Sequence, residues 1–154
     1  MANSYYFYVA GKISALIVLE SEDARFLEAF HECALDKLSH EDHLRIAWLL
    51  LESHEIKESL EMISEGLRRF AISKGSESSY NQTMTCFWMS LVHHCLDSSS
   101  RELTFGEFLA ENPILLQKSS IFKHWSKETI LASEAKKFCI DPDLLPVPFL
   151  ESIP

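Results

Sequence analysis

From Ser39 to Leu51 the chain reads SHEDHLRIAWLLL, and Leu44, Ala47, Trp48 and Leu51 recur at the spacing of one helical face. Ser39 stands as an N-cap. Asp42, three residues on, completes a capping box, and Glu41 adds negative charge to the first turn. The strongest amphipathic run follows at 55–73. There Ile56, Leu60, Ile63, Leu67 and Phe70 form the apolar stripe, and Glu58, Glu61, Glu65, Arg68 and Arg69 the wet one. Lys74 and Gly75 supply a basic last turn and a C′ glycine. Residues 80–97 carry a broader apolar face of Met84, Phe87, Trp88, Leu91, Val92 and Cys95, which predicts a central helix.

Shorter elements flank these three. Ser21 before Glu22 and Asp23 predicts a helix ending near Leu35, with Phe26, Leu27 and Phe30 buried. Thr104 and Glu107 spell a second capping box, opening a helix through Ala110. Asn112-Pro113 starts a turn, Ser126 caps a segment containing Ile130 and Leu131, and Ser133 is expected to cap another through Phe138. From Asp141 the tail DPDLLPVPFLESIP holds four of the five prolines and must be extended. Its leucines, Val147, Phe149 and Ile153 suit a strap folded back over the helices, with docking on a partner as the alternative beyond Pro146. The expectation is an all-α protein: an irregular helical bundle of five to seven helices with an extended Pro-rich C-terminal strap. It divides into an apolar, aromatic segment at 1–20, a helical domain at 21–140 and the strap at 141–154.

The first segment changes the picture. Residues 5–19 read YYFYVAGKISALIVL, too apolar for a solvated tail. They are either core or an interface, and Tyr5, Tyr6, Phe7 and Tyr8 are candidate contact residues, because tyrosine favours interface centres. The excess of apolar surface makes a homodimer an expectation. No run of about 18 apolar residues is present, so no membrane span is expected, and the acids after residue 19 argue against a signal peptide.

Charge narrows the partners. The formal net charge is −9, which repels phosphate backbones and excludes nucleic acid as an expected partner. It favours a protein partner with a basic surface. The four cysteines, Cys33, Cys86, Cys95 and Cys139, include no C-x-x-C pair. They are expected as reduced, small core residues in a cytoplasmic protein.

Candidate chemistry is sparse. His40 and His43 sit three apart on one side of a helix start, the reach of two metal ligands, but a site needs at least one more. Asp42, His93 or His94 could supply it only through tertiary contact, and the alternative function is a metal-dependent enzyme or small-ligand binder using His40, His43 and Tyr80. The competing reading has both imidazoles bound to Tyr80, Thr83 or a backbone carbonyl, with a neighbouring Glu41 or Asp42 raising a histidine pKa. There is no glycine-rich phosphate loop and no G-x-S-x-G. No cofactor is expected.

Three stretches carry a resemblance: HEDHLRIAW at 40–48, YNQTMTCFW at 80–88 and WSKETILASEAKKFCIDPDLLP at 125–146. Together they resemble a largely uncharacterised family of small bacterial helical proteins with T-H-x-x-H-L, Y-H-E-T-x-T and P-D-x-x-P patterns. This chain departs from that pattern at Asn81 and Gln82, where the family reads histidine and glutamate. Amides are poor ligands for first-row metals and cannot serve as general bases. The chain also resembles the small helical inhibitors of bacterial effectors that deamidate or crosslink ubiquitin. The resemblance implies a non-enzymatic interaction module, a regulator or inhibitor of a partner enzyme. Its expected contacts are Tyr5, Tyr6, Phe7, Tyr8, His40, His43, Tyr80 and Asn81, in a bacterial cytoplasm or after delivery into a host cell.

Overall fold

The computed structural model describes residues 21–99 and 102–150. The protein is all-α: the described residues form seven α-helices and three short 3-10 helices, with no strand. Tyr5, Tyr6, Phe7 and Tyr8, with the rest of 1–20, lie outside the described residues, as does Ile153.

Helix α1 (Glu22–His31) starts at Ser21, whose hydroxyl accepts from the Ala24 amide. It ends at His31, short of Leu35, and Cys33 just beyond takes a positive φ of 56°. Helix α2 (His40–Leu51) begins with the expected box: the Asp42 amide donates to Ser39 Oγ, and the Ser39 amide to the Asp42 carboxylate. Helix α3 (Ile56–Ser73) ends before Gly75, which has a φ of 67°. Helix α4 (Gln82–Asp97) is capped by Asn81.

Helices α2, α3 and α4 pack against one another in all three pairs and make the core. Leu44, Ile46, Leu50, Phe87, Met89 and Val92 are fully buried there. Helix α4 is central as its pattern predicts, and it is buried beyond its apolar face. Thr83, Thr85 and Ser90 are also enclosed. Such hydroxyls are tolerated only when bonded. Thr85 donates to the Asn81 carbonyl and Ser90 to that of Cys86, each one turn back along the helix. Helix α1 packs on α3, where Gly66 gives the Phe30 ring room.

The C-terminal part is built differently. Helix α5 (Phe105–Glu111) opens with the Thr104–Glu107 box. Two 3-10 helices, Pro113–Leu116 and Lys118–Lys123, then carry the chain across the bundle. Helices α6 (Lys127–Leu131) and α7 (Ser133–Lys137) follow, and α7 packs on α4. Ser133 is the first residue of α7 and not its cap; Ala132 holds that position, with no capping side chain.

The strap folds back as expected through residue 150. The Leu144 amide donates to the His124 carbonyl, and the Trp125 indole N–H to the Asp141 carbonyl. Asp143 accepts from Ser126 and Thr129. Val147 is buried, and Phe149 and Leu150 pack on the core. No helix among the described residues is long and apolar enough to cross a membrane.

The cysteines depart from expectation. Cys86 and Cys139 are joined as a disulfide, with their Cα atoms 6.1 Å apart, a separation that suits the bond. Cys33 and Cys95 are free. Cys86 is in the core as expected, but its partner lies 53 residues away, and only the return of the chain past α7 brings them together.

Candidate functional site

The first helical turn of α2 presents His40 and His43, as the sequence requires, and both rings are committed. His40 Nε2 lies 2.7 Å from the Leu115 carbonyl oxygen, so that nitrogen carries the proton and donates. The ring meets Trp88 edge-on at 4.6 Å between centroids. The aromatic neighbour is therefore Trp88; Trp48, the tryptophan of the same helix, packs on Phe105 and Phe108 instead. His43 Nδ1 donates to the Ser39 carbonyl at 2.6 Å. Burial lowers the His40 pKa; the hydrogen bond to the Leu115 carbonyl opposes this, the charges of His43 and Lys118 lower it further, and Glu41 raises it by less. Glu41 thus acts in the expected direction on His40, but burial outweighs it and the net shift is downward. A small cleft of about 210 Å³ opens here, lined by Ser39, His40, Glu41, Leu116 and Lys118.

Tyr80 does not join the histidines. It precedes α4, whereas Trp88, the ring that His40 touches, lies in the helix two turns further on. It belongs instead to a cluster between α3 and α4. The Tyr80 hydroxyl donates to Gln82 Oε1 at 2.7 Å, and Arg68 donates to the same oxygen. The Arg68 guanidinium lies 4.9 Å from the Tyr80 ring centroid, a cation–π distance. Gln82 Nε2 donates to Ser64 Oγ at 3.1 Å and points toward the sulfurs of Cys86 and Cys139 at 3.6 and 3.8 Å. The buried amide thus fills its hydrogen-bonding capacity. An open cleft of about 410 Å³ beside it is lined by Leu60, Glu61, Ser64, Glu65, Arg68 and Gln82.

Asn81 is not a surface contact. It is buried, its Nδ2 donates to the Ile130 carbonyl, and its Oδ1 caps α4. Both amides therefore have structural roles: Asn81 ties α4 to α6, and Gln82 ties α4 to α3. Among the described residues no group of three His, Cys, Asp or Glu side chains could hold a metal ion.

Sequence reasoning missed a surface formed by the C-terminal segment. Seven large apolar side chains are exposed among the described residues, and six fall between 116 and 145: Leu116, Phe122, Leu131, Phe138, Leu144 and Leu145. Leu144 and Leu145 are tied through their backbones to His124, two residues from Phe122. Lys127 extends over the Phe122 ring. Asp143 pins this arrangement with bonds from the Ser126 amide and the Ser126 and Thr129 hydroxyls, which hold its carboxyl down at about 2. The signal was present in the strap, whose leucines read equally well as core.

Charge separates the same two regions. Residues 21–111 carry seventeen acidic and eight basic side chains, whereas residues 112–150 carry four and five. In comparisons with known proteins, no family model, no curated protein and no solved structure matches the chain.

Proposed function

We propose that the chain is a protein-interaction module that regulates or inhibits a partner enzyme. The observation that carries this reading is the exposure of the apolar side chains of Phe122, Leu144 and Leu145 on a segment held by backbone hydrogen bonds and the Asp143 cluster. Large apolar side chains fixed in solvent mark binding surfaces more than catalytic ones. The acidic surface of residues 21–111 supports a partner with a basic face, drawn in by charge and held by apolar contact. The resemblance to inhibitors of ubiquitin-modifying bacterial effectors makes those enzymes the first partners to test.

The decisive experiment captures the partner from the native cell with the full chain, then measures inhibition of any enzyme recovered. The double variant Leu144→Asp, Leu145→Asp should weaken binding by at least about tenfold. Its unfolding free energy should stay within about 0.5 kcal/mol of wild type, because both side chains are already exposed. Unchanged affinity in a folded double variant would remove this surface from the proposal. Turnover of a substrate by the isolated chain, abolished by His40→Ala, would replace the whole reading with the metal or small-ligand alternative.

A further inference from the structure

The Cys86–Cys139 pair is unequal in a way that suggests chemistry. Cys86 is 1% exposed on the central helix, whereas Cys139 lies on the surface just after α7. The chain around Cys139 is held independently of the bond between the sulfurs. Thr83 Oγ1 donates to the Phe138 carbonyl at 2.6 Å and accepts from the Ile140 amide at 3.2 Å. Beyond it, Trp125 and Ser126 hold Asp141 and Asp143. Opening the disulfide would therefore leave the fold in place and expose one sulfur to solvent. The Gln82 amide N–H faces both sulfurs and can stabilise negative charge on either.

We propose that Cys139 is a thiol-modification site, reversibly capped by a small peptide thiol and resolved by Cys86. The incoming thiolate attacks Cys139 Sγ, the only sulfur of the pair it can reach. A new disulfide forms between Cys139 and the thiol, and the Cys86–Cys139 bond breaks. Cys86 departs as a thiolate and takes a proton from solvent. In the return step the Cys86 thiolate attacks Cys139 Sγ, restores the pair and releases the small thiolate. No external oxidant is needed in either direction, because each step exchanges one disulfide for another.

Glutathione is the probe, applied to the full oxidised chain and followed by acid quenching and peptide mass mapping. Before treatment the peptides containing Cys86 and Cys139 should be linked. With reduced glutathione the adduct should favour Cys139 over Cys86 by at least about tenfold, since attack follows access and the identity of the leaving sulfur. Removal of free glutathione should return the linked pair. In Cys86→Ser, exposed to glutathione disulfide, the Cys139 adduct should persist, because nothing resolves it. Equal labelling of the two sulfurs in the wild-type chain would overturn the proposal without relying on any variant. So would the absence of a linked pair after oxidation, or an adduct in folded Cys86→Ser as short-lived as in wild type. Buried Cys95, whose thiol pKa is raised by burial, serves as the unreactive internal control.

Discussion

The helices from Glu22 to Asp97 and the segment from Phe105 to Leu150 reach order by different routes. In the first region three helices of 12, 18 and 16 residues bury apolar faces against one another. In the second, no helix exceeds seven residues, and the chain is fixed by side chains that bond backbone carbonyls across 16 to 75 residues. Among the described residues the first region presents acids and exposes one large hydrophobe, Ile72; the second exposes six. Repeated local geometry thus builds a scaffold, and non-local hydrogen bonds hold an apolar surface that local geometry alone would not keep in solvent.

Trp125 gives the largest test, since it anchors the second region while sitting fully buried against Phe87 of the first. Trp125→Ala should cost about 3–5 kcal/mol, the range for deleting a buried aromatic side chain. Urea unfolding measures it, and hydrogen exchange should show protection lost first over 113–150. A loss below about 1.5 kcal/mol, or uniform loss of protection, would mean that the two regions do not differ in how they are held.

Gly66 tests the first region in the same way. A Cβ there would come within 2.6 and 2.8 Å of the Phe30 ring, which is itself fully buried beside Phe70. Alanine gains about 1 kcal/mol of helix propensity over glycine. Overpacking of this kind costs about 1–3 kcal/mol. Gly66→Ala should therefore destabilise by up to about 2 kcal/mol on balance, and the double variant with Phe30→Leu should recover part of that loss. A more stable Gly66→Ala protein would show that the α1–α3 contact is looser than its geometry.

The two capping boxes allow a matched comparison at smaller scale. Ser39→Ala and Thr104→Ala remove equivalent bonds from a long helix and a seven-residue one. Each should cost about 1 kcal/mol in thermal or urea unfolding. Exchange in α5 should rise more than in α2, because α2 keeps its burial against two long helices. The opposite order would place the cooperative unit in the second region.

What could be read in the sequence follows the same division. Ser39 with Asp42, Thr104 with Glu107, and Gly75 are signals within four residues of the structure they specify, and each formed as expected. The buried face of α3 was equally readable, except that Ser59, Ser64 and Gly66 are enclosed too. The run from Pro113 to Lys123 has no 3.6-residue period, because 3-10 turns place side chains differently. Tyr80 looked like a partner of the histidines, but its hydroxyl found Gln82, two residues away, and Arg68 of α3 closed over it. Ser133 reads as a cap by type, yet the helix starts one residue earlier than that role requires. The meeting of Cys86 and Cys139 depends on the path of 53 residues, which no local pattern encodes.

Acid separates the regions by a single carboxylate. Asp143 has its pKa lowered to about 2 by bonds from Thr129 and Ser126. An unfolded aspartate titrates near about 3.9. Its stabilising effect is therefore complete above about pH 4 and is lost as the pH falls toward 2. Exchange at Leu144 and Leu150 should accelerate across that window. Asp143→Asn, which keeps the shape but loses the charge, should raise exchange at neutral pH and flatten the acid response. No difference between the two proteins would make the Ser126–Thr129–Asp143 cluster incidental to the surface it underlies.

The smallest effect belongs to His40, which joins the two regions at Leu115. Burial leads the lowering of its pKa below 6.5, so the folded protein prefers the neutral ring. The sign follows from that preference. The contribution is complete above the unfolded value near about 6.5 and disappears as the pH falls through the lower folded value. Mild acid should thus slightly loosen the contact between α2 and the 3-10 helix Pro113–Leu116, before Asp143 begins to titrate. NMR of the imidazole, followed from pH 8 to 4, should give a midpoint below that of an exposed histidine. The Leu115 and Leu116 amides should shift with the same midpoint. A His40 midpoint at or above 6.5 would mean that the ring is wetter than this packing, and that the first turn of α2 is free to serve the ligand role its paired imidazoles suggest.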